Sequence, residues 1–251
     1  MKKKNAFTLA EVLITLGIIG VVAAMTLPAL VQKHNEKEYV AKFEKFVSVL
    51  SQAINMYKAR TECVLPITEC LTLKEDDPSS FDEIAKYMNV LDTATRTNLT
   101  SKDWLPDHAY NYYGEQISGE YGGISKDVAE TKAYLLNDGT TFAAAVTTGH
   151  IRITFDVNGK SRPNRVGRDI YFLSIGVTDA MLNSFNKEHM LTNSDIIFYP
   201  YVTAYNTFSG MCNGRKQVCD PLNLDPTKDN GASITTYVLL TKKIPPLYRG
   251  N

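Results

Sequence analysis

From Phe7 to Val31 this 251-residue chain has no lysine and no arginine, and its only acid there is Glu11. So long an uncharged run is no solvent-facing helix of a soluble domain, because such a helix keeps charge on its outer side. From Ala29 to Thr61 there is no glycine and no proline, which removes the usual helix breakers. The four histidines, His34, His108, His150 and His189, share no metal-site or triad spacing, and no glycine-rich phosphate loop occurs. A catalytic role therefore finds no motif. The chain has one tryptophan, no internal repeat and no low-complexity tract. It also lacks a charge excess, with 27 basic against 27 acidic residues, so bulk charge makes it no nucleic-acid binder.

What is present begins with that apolar run. As a helix, residues 7–31 reach about 38 Å, enough for a hydrocarbon core of roughly 30 Å with some tilt. Lys2, Lys3 and Lys4 precede it, so the positive-inside rule keeps the N-terminus cytoplasmic and exports the remainder. Glu11 is the anomaly, since an ionised carboxylate in hydrocarbon costs roughly 2.5–3.5 kcal/mol even on mild insertion scales. No cation in the same apolar helix can meet it, which points to a partner on another molecule.

Helical periodicity continues beyond the span. Tyr39, Phe43, Phe46, Val47, Leu50, Ile54 and Tyr57 recur every three or four residues, with Lys33, Glu36, Lys37, Glu44 and Lys45 mostly opposite. The pattern predicts one helix from Phe7 to about Arg60, roughly 80 Å long, with a bend at Pro28. Residues 7–31 form its membrane or filament-core half, residues 32–60 its amphipathic continuation, and residues 61–251 a globular head. About 190 residues remain for that head, enough for one sizeable core.

The string Lys2-Lys-Lys-Asn-Ala-Phe7-Thr-Leu-Ala-Glu11 resembles the type IV prepilin signal shared by type IV pilins and type II secretion pseudopilins. The resemblance covers about the first thirty residues. It implies removal of leader 1–6 by a prepilin peptidase, between Ala6 and Phe7, and N-methylation of Phe7. It places Glu11 at the family's glutamate, and Gly17, Gly20 and Pro28 where pilin helices carry glycine and a kinking proline. The residue before the cut is usually glycine in that family and is Ala6 here, the next smallest side chain. Losing Lys2, Lys3 and Lys4 leaves 24 basic against 27 acidic residues, a net of −3 before the termini. Glu11 would then neutralise the freed amine of a neighbouring subunit and set axial register. The implied partners are other subunits, the peptidase and an inner-membrane assembly platform with its motor. Two alternatives stand beside this reading: a secretory signal cut after Ala24, which Val22-Ala-Ala24 would permit, and a plain transmembrane anchor.

The head reads as mixed. Ser80-Phe81-Asp82-Glu83 has the spacing of a capping box and predicts a helix carrying Ile84, Tyr87, Met88 and Leu91. Residues 92–130 are polar and yield no periodic element. Ala133–Leu136 leads through Asn137-Asp138-Gly139, a hairpin turn, into Thr141–Val146. Ile151, Ile153, Phe155 and Val157 alternate with Arg152, Thr154 and Asp156, and Asp169–Ile175 follows as a further strand. An antiparallel meander of about four strands packed on the helix results, an α+β class that pilins also have. Ile196–Tyr205 adds a strand interrupted by Pro200, and Thr235–Thr241 is a strand or short helix.

Four cysteines form two pairs of equal spacing, Cys63/Cys70 and Cys212/Cys219. In an exported head disulfides are the default, and the two local pairings are favoured because short loops close easily. One zinc held by all four thiolates is the competing reading, with looser spacing than zinc knuckles use. Asp156-Val-Asn158-Gly-Lys-Ser-Arg-Pro-Asn164-Arg-Val-Gly-Arg-Asp169 is similar to a loop of pseudopilin-like heads, where major pseudopilins bind calcium. Asp156, Asn158, Asn164 and Asp169 offer oxygen ligands. The plainer reading is a long hairpin loop made of turns, and Lys160, Arg162, Arg165 and Arg168 favour it by outnumbering the aspartates. Those four cations also suggest a local phosphate patch on an acidic head. The favoured function is a type II secretion pseudopilin. A minor type IV pilin for adhesion, motility or DNA uptake is the alternative, and a membrane-tethered binding protein or enzyme that never polymerises is another.

Overall fold

The computed structural model describes residues 8–71, 78–95, 97–111, 114–117, 124–126, 132–147, 150–176, 192–193, 196–198, 235, 238 and 241–244. One helix, α1 (Leu9–Thr61), carries the apolar run and its amphipathic continuation without a break at Pro28. Contacts divide the chain into two units, one up to Glu38 and one from Tyr39 onward.

In the first unit α1 exposes its apolar side chains on every side; Leu9, Ile14, Ile19, Met25 and Leu30 are all more than 60% exposed. Among the described residues α1 is the one helix long and apolar enough to cross a membrane.

The second unit opens with the periodic half of α1. Val40, Phe43, Phe46, Leu50, Ala53 and Ile54 are buried, with Tyr39, Val47 and Tyr57 packed beside them. Short helices α2 (Ile67–Cys70) and α3 (Asp82–Ala85) follow. The strands are β1 (Val90–Ala94), β2 (Ala109–Tyr110), β3 (Gln116–Ile117), β4 (Lys132–Leu136), β5 (Thr141–Thr147), β6 (His150–Asp156), β7 (Ile170–Ile175), β8 (Thr192–Asn193) and β9 (Ile196–Phe198). Seven of them form one sheet in the order β1-β4-β5-β6-β7-β9-β8, every neighbour antiparallel. Its centre, β4 to β7, is the four-strand meander read from alternation. The head is α+β, a long helix followed by an antiparallel sheet.

Strand period two explains both faces of that sheet. Tyr134, Phe142, Phe155 and Tyr171 turn toward α1, where Phe46 stacks on Phe155 at 4.0 Å and Phe43 on Tyr171 at 4.5 Å. Ala133 and Ala143 turn the other way and are covered by Leu99, Leu105, Ile124 and Trp104. The polar stretch without a period is thus the cover of the second face. Asp92 holds it there, accepting Lys102 Nζ with both carboxylate oxygens at 2.8 Å and Trp104 Nε1 at 2.8 Å.

The expected helix after Ser80 is corrected. A 3₁₀ turn (Pro78–Phe81) runs into α3, which ends after Ala85, and Leu91 lies 70% exposed on β1. Asp82 does not cap. Its carboxylate accepts Lys132 Nζ at 2.6 Å and the Tyr134 hydroxyl at 2.8 Å, while Asn89, at φ 53°, turns the chain out of the helix. Beyond β9, Thr235, Val238 and Thr241 are helical, and Val238 and Ile244 are buried in the main core. Cys63 and Cys70 are bonded to each other at the end of α1, which removes two ligands from the four-thiolate zinc reading. Cys212, Cys219 and Pro200 lie outside the described residues.

The Cys63–Cys70 bridge closes a short loop, so chain entropy limits its contribution to about 2.5 kcal/mol. Replacing both cysteines by serine is expected to lower urea-unfolding stability by that amount. An unchanged midpoint would show that the bridge constrains nothing.

Candidate functional site

Two places carry the chemistry singled out in the sequence. The first is the start of α1. Thr8 N–H and Thr8 Oγ1 both donate to Glu11 Oε2 at 2.8 Å, and Glu11 N–H donates back to Thr8 Oγ1 at 3.3 Å. That is a reciprocal capping box, with Thr8 as N-cap and Glu11 at the third helical position. The Thr-x-x-Glu spacing signals it in the sequence, so Thr8 is the functional neighbour that sequence reasoning missed. The hydrogen bonds give the carboxylate a neutral partner, and among the described residues no cation pairs with it. Ala6 and Phe7 lie outside the described residues. A Cβ added at Gly17 or Gly20 meets nothing within 4 Å, so no contact within the chain requires glycine at either position.

The second place is the loop from β6 to β7, which brings Asp156, Asn158, Asn164 and Asp169 together. Asp169 is buried and accepts from Asn164 N–H at 2.8 Å and Arg165 N–H at 2.7 Å. Asp156 is buried too, and accepts Asn158 N–H at 3.0 Å through Oδ1. Asn158 Nδ2 donates to Tyr39 OH of α1 at 3.0 Å and to the Arg162 carbonyl at 3.2 Å. From outside, Tyr110 of β2 clamps the loop, donating to the Asn164 carbonyl at 2.8 Å and accepting Val166 N–H at 2.9 Å.

The electrostatics of this loop are strained. Burial raises both carboxyls; Asp169 is pushed up to about 6, and the Asp169 charge raises Asp156 further. Asp156 Oδ2 and Asn158 Oδ1 are buried with no hydrogen-bond donor. One amide heavy atom of Asn164 lies 2.8 Å from the Ser161 carbonyl oxygen and 2.9 Å from that of Gly159. With nitrogen there, the amide ties the loop together. Among the described residues no three His, Cys, Asp or Glu side chains cluster as metal ligands, so any ion held here depends on amide and carbonyl oxygens, the donors of a hard cation.

The four basic residues do not form one patch. Lys160 and Arg162 are exposed, Arg165 is half-buried with its guanidinium against Gly114, and Arg168 is buried. Two exposed cations are few for a phosphate backbone.

A family model described as the prokaryotic N-terminal methylation motif matches residues 1–27, the stretch holding Lys2–Lys4, Ala6, Phe7 and Glu11. A type IV major alpha-pilin of Moraxella bovis is 29% identical over 132 residues, which cover 52% of this chain and 77% of that pilin. At its N-terminus and over about half its length the chain is thus similar to type IV pilins. No solved structure matches it. The methylation motif thus lies on a helix long and apolar enough to span a bilayer, which fits a single-pass membrane-anchored protein.

Proposed function

We propose that this protein is a structural subunit of a membrane-rooted filament of the type II secretion class, a pseudopilin that moves cargo mechanically and catalyses nothing. The observation that carries the filament reading is Glu11, with no cation on it among the described residues, at the start of a helix apolar on all sides. A prepilin peptidase removes residues 1–6, Phe7 becomes the methylated N-terminus, and the Phe7 amine of one subunit meets Glu11 of the next. The N-terminus faces the cytoplasm at the inner membrane, the head is exported, and an assembly platform with its motor drives insertion. The test is mass analysis of the intact protein purified from membranes. The expected N-terminus is a methylated Phe7; a cut after Ala24 or a retained Met1 overturns the proposal. Its likeness to a major pilin favours a second reading, a type IV pilus subunit. The two differ in which neighbours co-purify with the cross-linked filament.

The secretion class is supported by the loop between β6 and β7, which we propose holds calcium. The buried oxygens without donors and the two crowded carboxylates fit such an ion. Calcium would supply positive charge between the two buried carboxylates. Without the ion, both carboxyls have pKa values raised above the unfolded ones. The folded state therefore favours their protonated forms, and the stability this adds is present below pH 4 and lost as pH rises through about 6. In chelator, the melting temperature of the head is expected to fall by several degrees between pH 5 and pH 7.5. Millimolar calcium is expected to restore it at pH 7.5 and to do less at pH 5, where protons compete. A melting temperature indifferent to calcium at pH 7.5 ends the calcium reading and leaves the pH dependence standing.

A further inference from the structure

On the outer side of the same loop lies a second polar site, a cleft of about 250 Å³ between residues 103–110, Lys126 and residues 160–164. Its floor is Leu105, Pro106 and Asn164, all buried, and its rim carries exposed charges. The volume lies just below the roughly 300–1,000 Å³ of pockets for drug-sized ligands, which suits a single sugar or similarly small molecule. One rim pair is satisfied: Lys126 Nζ meets Asp107 Oδ1 at 2.7 Å. Among the described residues Lys160 Nζ, the Arg162 guanidinium and the Asp103 carboxylate make no hydrogen bond or ion pair.

That mixture of unspent groups selects a ligand chemistry. A bare oxyanion would satisfy Lys160 and Arg162 but meet Asp103 and Asp107 in the same cleft. A ligand bringing an ammonium to the aspartates would meet Lys126, whose ion pair already draws down Asp107. Hydroxyl groups escape both conflicts, because they donate to carboxylates without adding charge. We propose that this cleft binds an acidic monosaccharide unit, a uronate, with its carboxylate on Arg162 and Lys160 and its hydroxyls on Asp103 and Asp107. Arg162 supplies the planar fork that a carboxylate accepts in bidentate fashion. The half-buried Tyr110 lines the cleft as well, an aromatic side chain beside the polar groups. The proposal stands apart from the filament reading and from calcium, since neither uses these four side chains.

The test is a calorimetric titration of the full chain, held in micelles of a detergent without a sugar head, with glucuronate, glucose, acetate and inorganic phosphate in turn. Glucuronate is expected to bind saturably, and glucose and acetate at least about tenfold more weakly, each having lost one half of the contacts. Arg162→Gln is expected to weaken glucuronate by about tenfold or more, the loss of one charge-assisted pair. Its side chain is exposed, so the variant should melt where the parent does. Asp103→Asn is expected to weaken glucuronate while leaving acetate unchanged. Acetate or phosphate binding as tightly as glucuronate overturns the sugar assignment, leaving a plain anion site. Glucuronate binding unaffected by Arg162→Gln places it elsewhere, and no saturable binding ends the proposal.

Discussion

Glu11→Val is expected to leave this protein in the membrane and to remove it from filaments. Insertion should improve, because a carboxylate near the start of the span costs roughly 2.5–3.5 kcal/mol and valine costs nothing. Locally the change loses the reciprocal Thr8–Glu11 bonds, about 1 kcal/mol of capping at an exposed helix start. Between subunits it removes the one acid available to a buried amine, and an unpaired buried charge costs on the order of 3–5 kcal/mol. The measurement is filament yield in the sheared fraction against protein in the membrane fraction. Glu11→Gln separates the two roles, since it retains an acceptor for Thr8 and lacks the charge. If the glutamine variant assembles normally, charge pairing is not what Glu11 does.

Phe46→Ala is expected to cost about 3–5 kcal/mol of head stability, a large share of the roughly 5–15 kcal/mol a domain has. The ring is 2% exposed, stacks on Phe155 at 4.0 Å, and lies 5.4 Å from Phe142. Its removal opens a cavity between α1 and the middle of the sheet, where β5 and β6 are held by their own ladder and cannot collapse inward. Urea unfolding of the detergent-solubilised chain reads the loss. Leu91→Ala is the control, expected within about 0.5 kcal/mol because that side chain is 70% exposed. A Phe46 cost below about 1 kcal/mol would show that the aromatic layer does not hold helix to sheet.

Legibility followed the strength of the local pattern. The apolar run and the stripe from Tyr39 to Tyr57 are long and periodic, so α1 was readable to within two residues at either end. The strands β4 to β7 alternate or run apolar between clear turns, and Asp138 confirms its turn by accepting Thr140 N–H and Oγ1. The capping-box pattern misled at Ser80, where the box acid Glu83 meets Lys86 and Asp82 is drawn to Lys132 and Tyr134, fifty and more residues away. The same pattern, present at Thr8 and Glu11, forms as its spacing requires, and among the described residues nothing else bonds to the Glu11 carboxylate. The cover of the second sheet face stayed hidden because it packs on Ala133 and Ala143, small side chains that impose no period on what lies over them.

The amino-acid order alone settled what depends on neighbours a few residues apart: the helix, the one acid in its apolar run, the basic N-terminal cluster and the central meander. Each follows from side-chain spacing, because hydrogen-bond geometry repeats every 3.6 or 2 residues whatever the rest of the chain does. Only the tertiary structure decided which of those residues meet. It drove Asp156 and Asp169 into one buried loop, divided four nearby cations between surface and interior, and set Lys160, Arg162 and Asp103 around one cleft. Those pairings join positions far apart in sequence, and they arise from how the sheet and its loops close on α1, a constraint that no local period encodes.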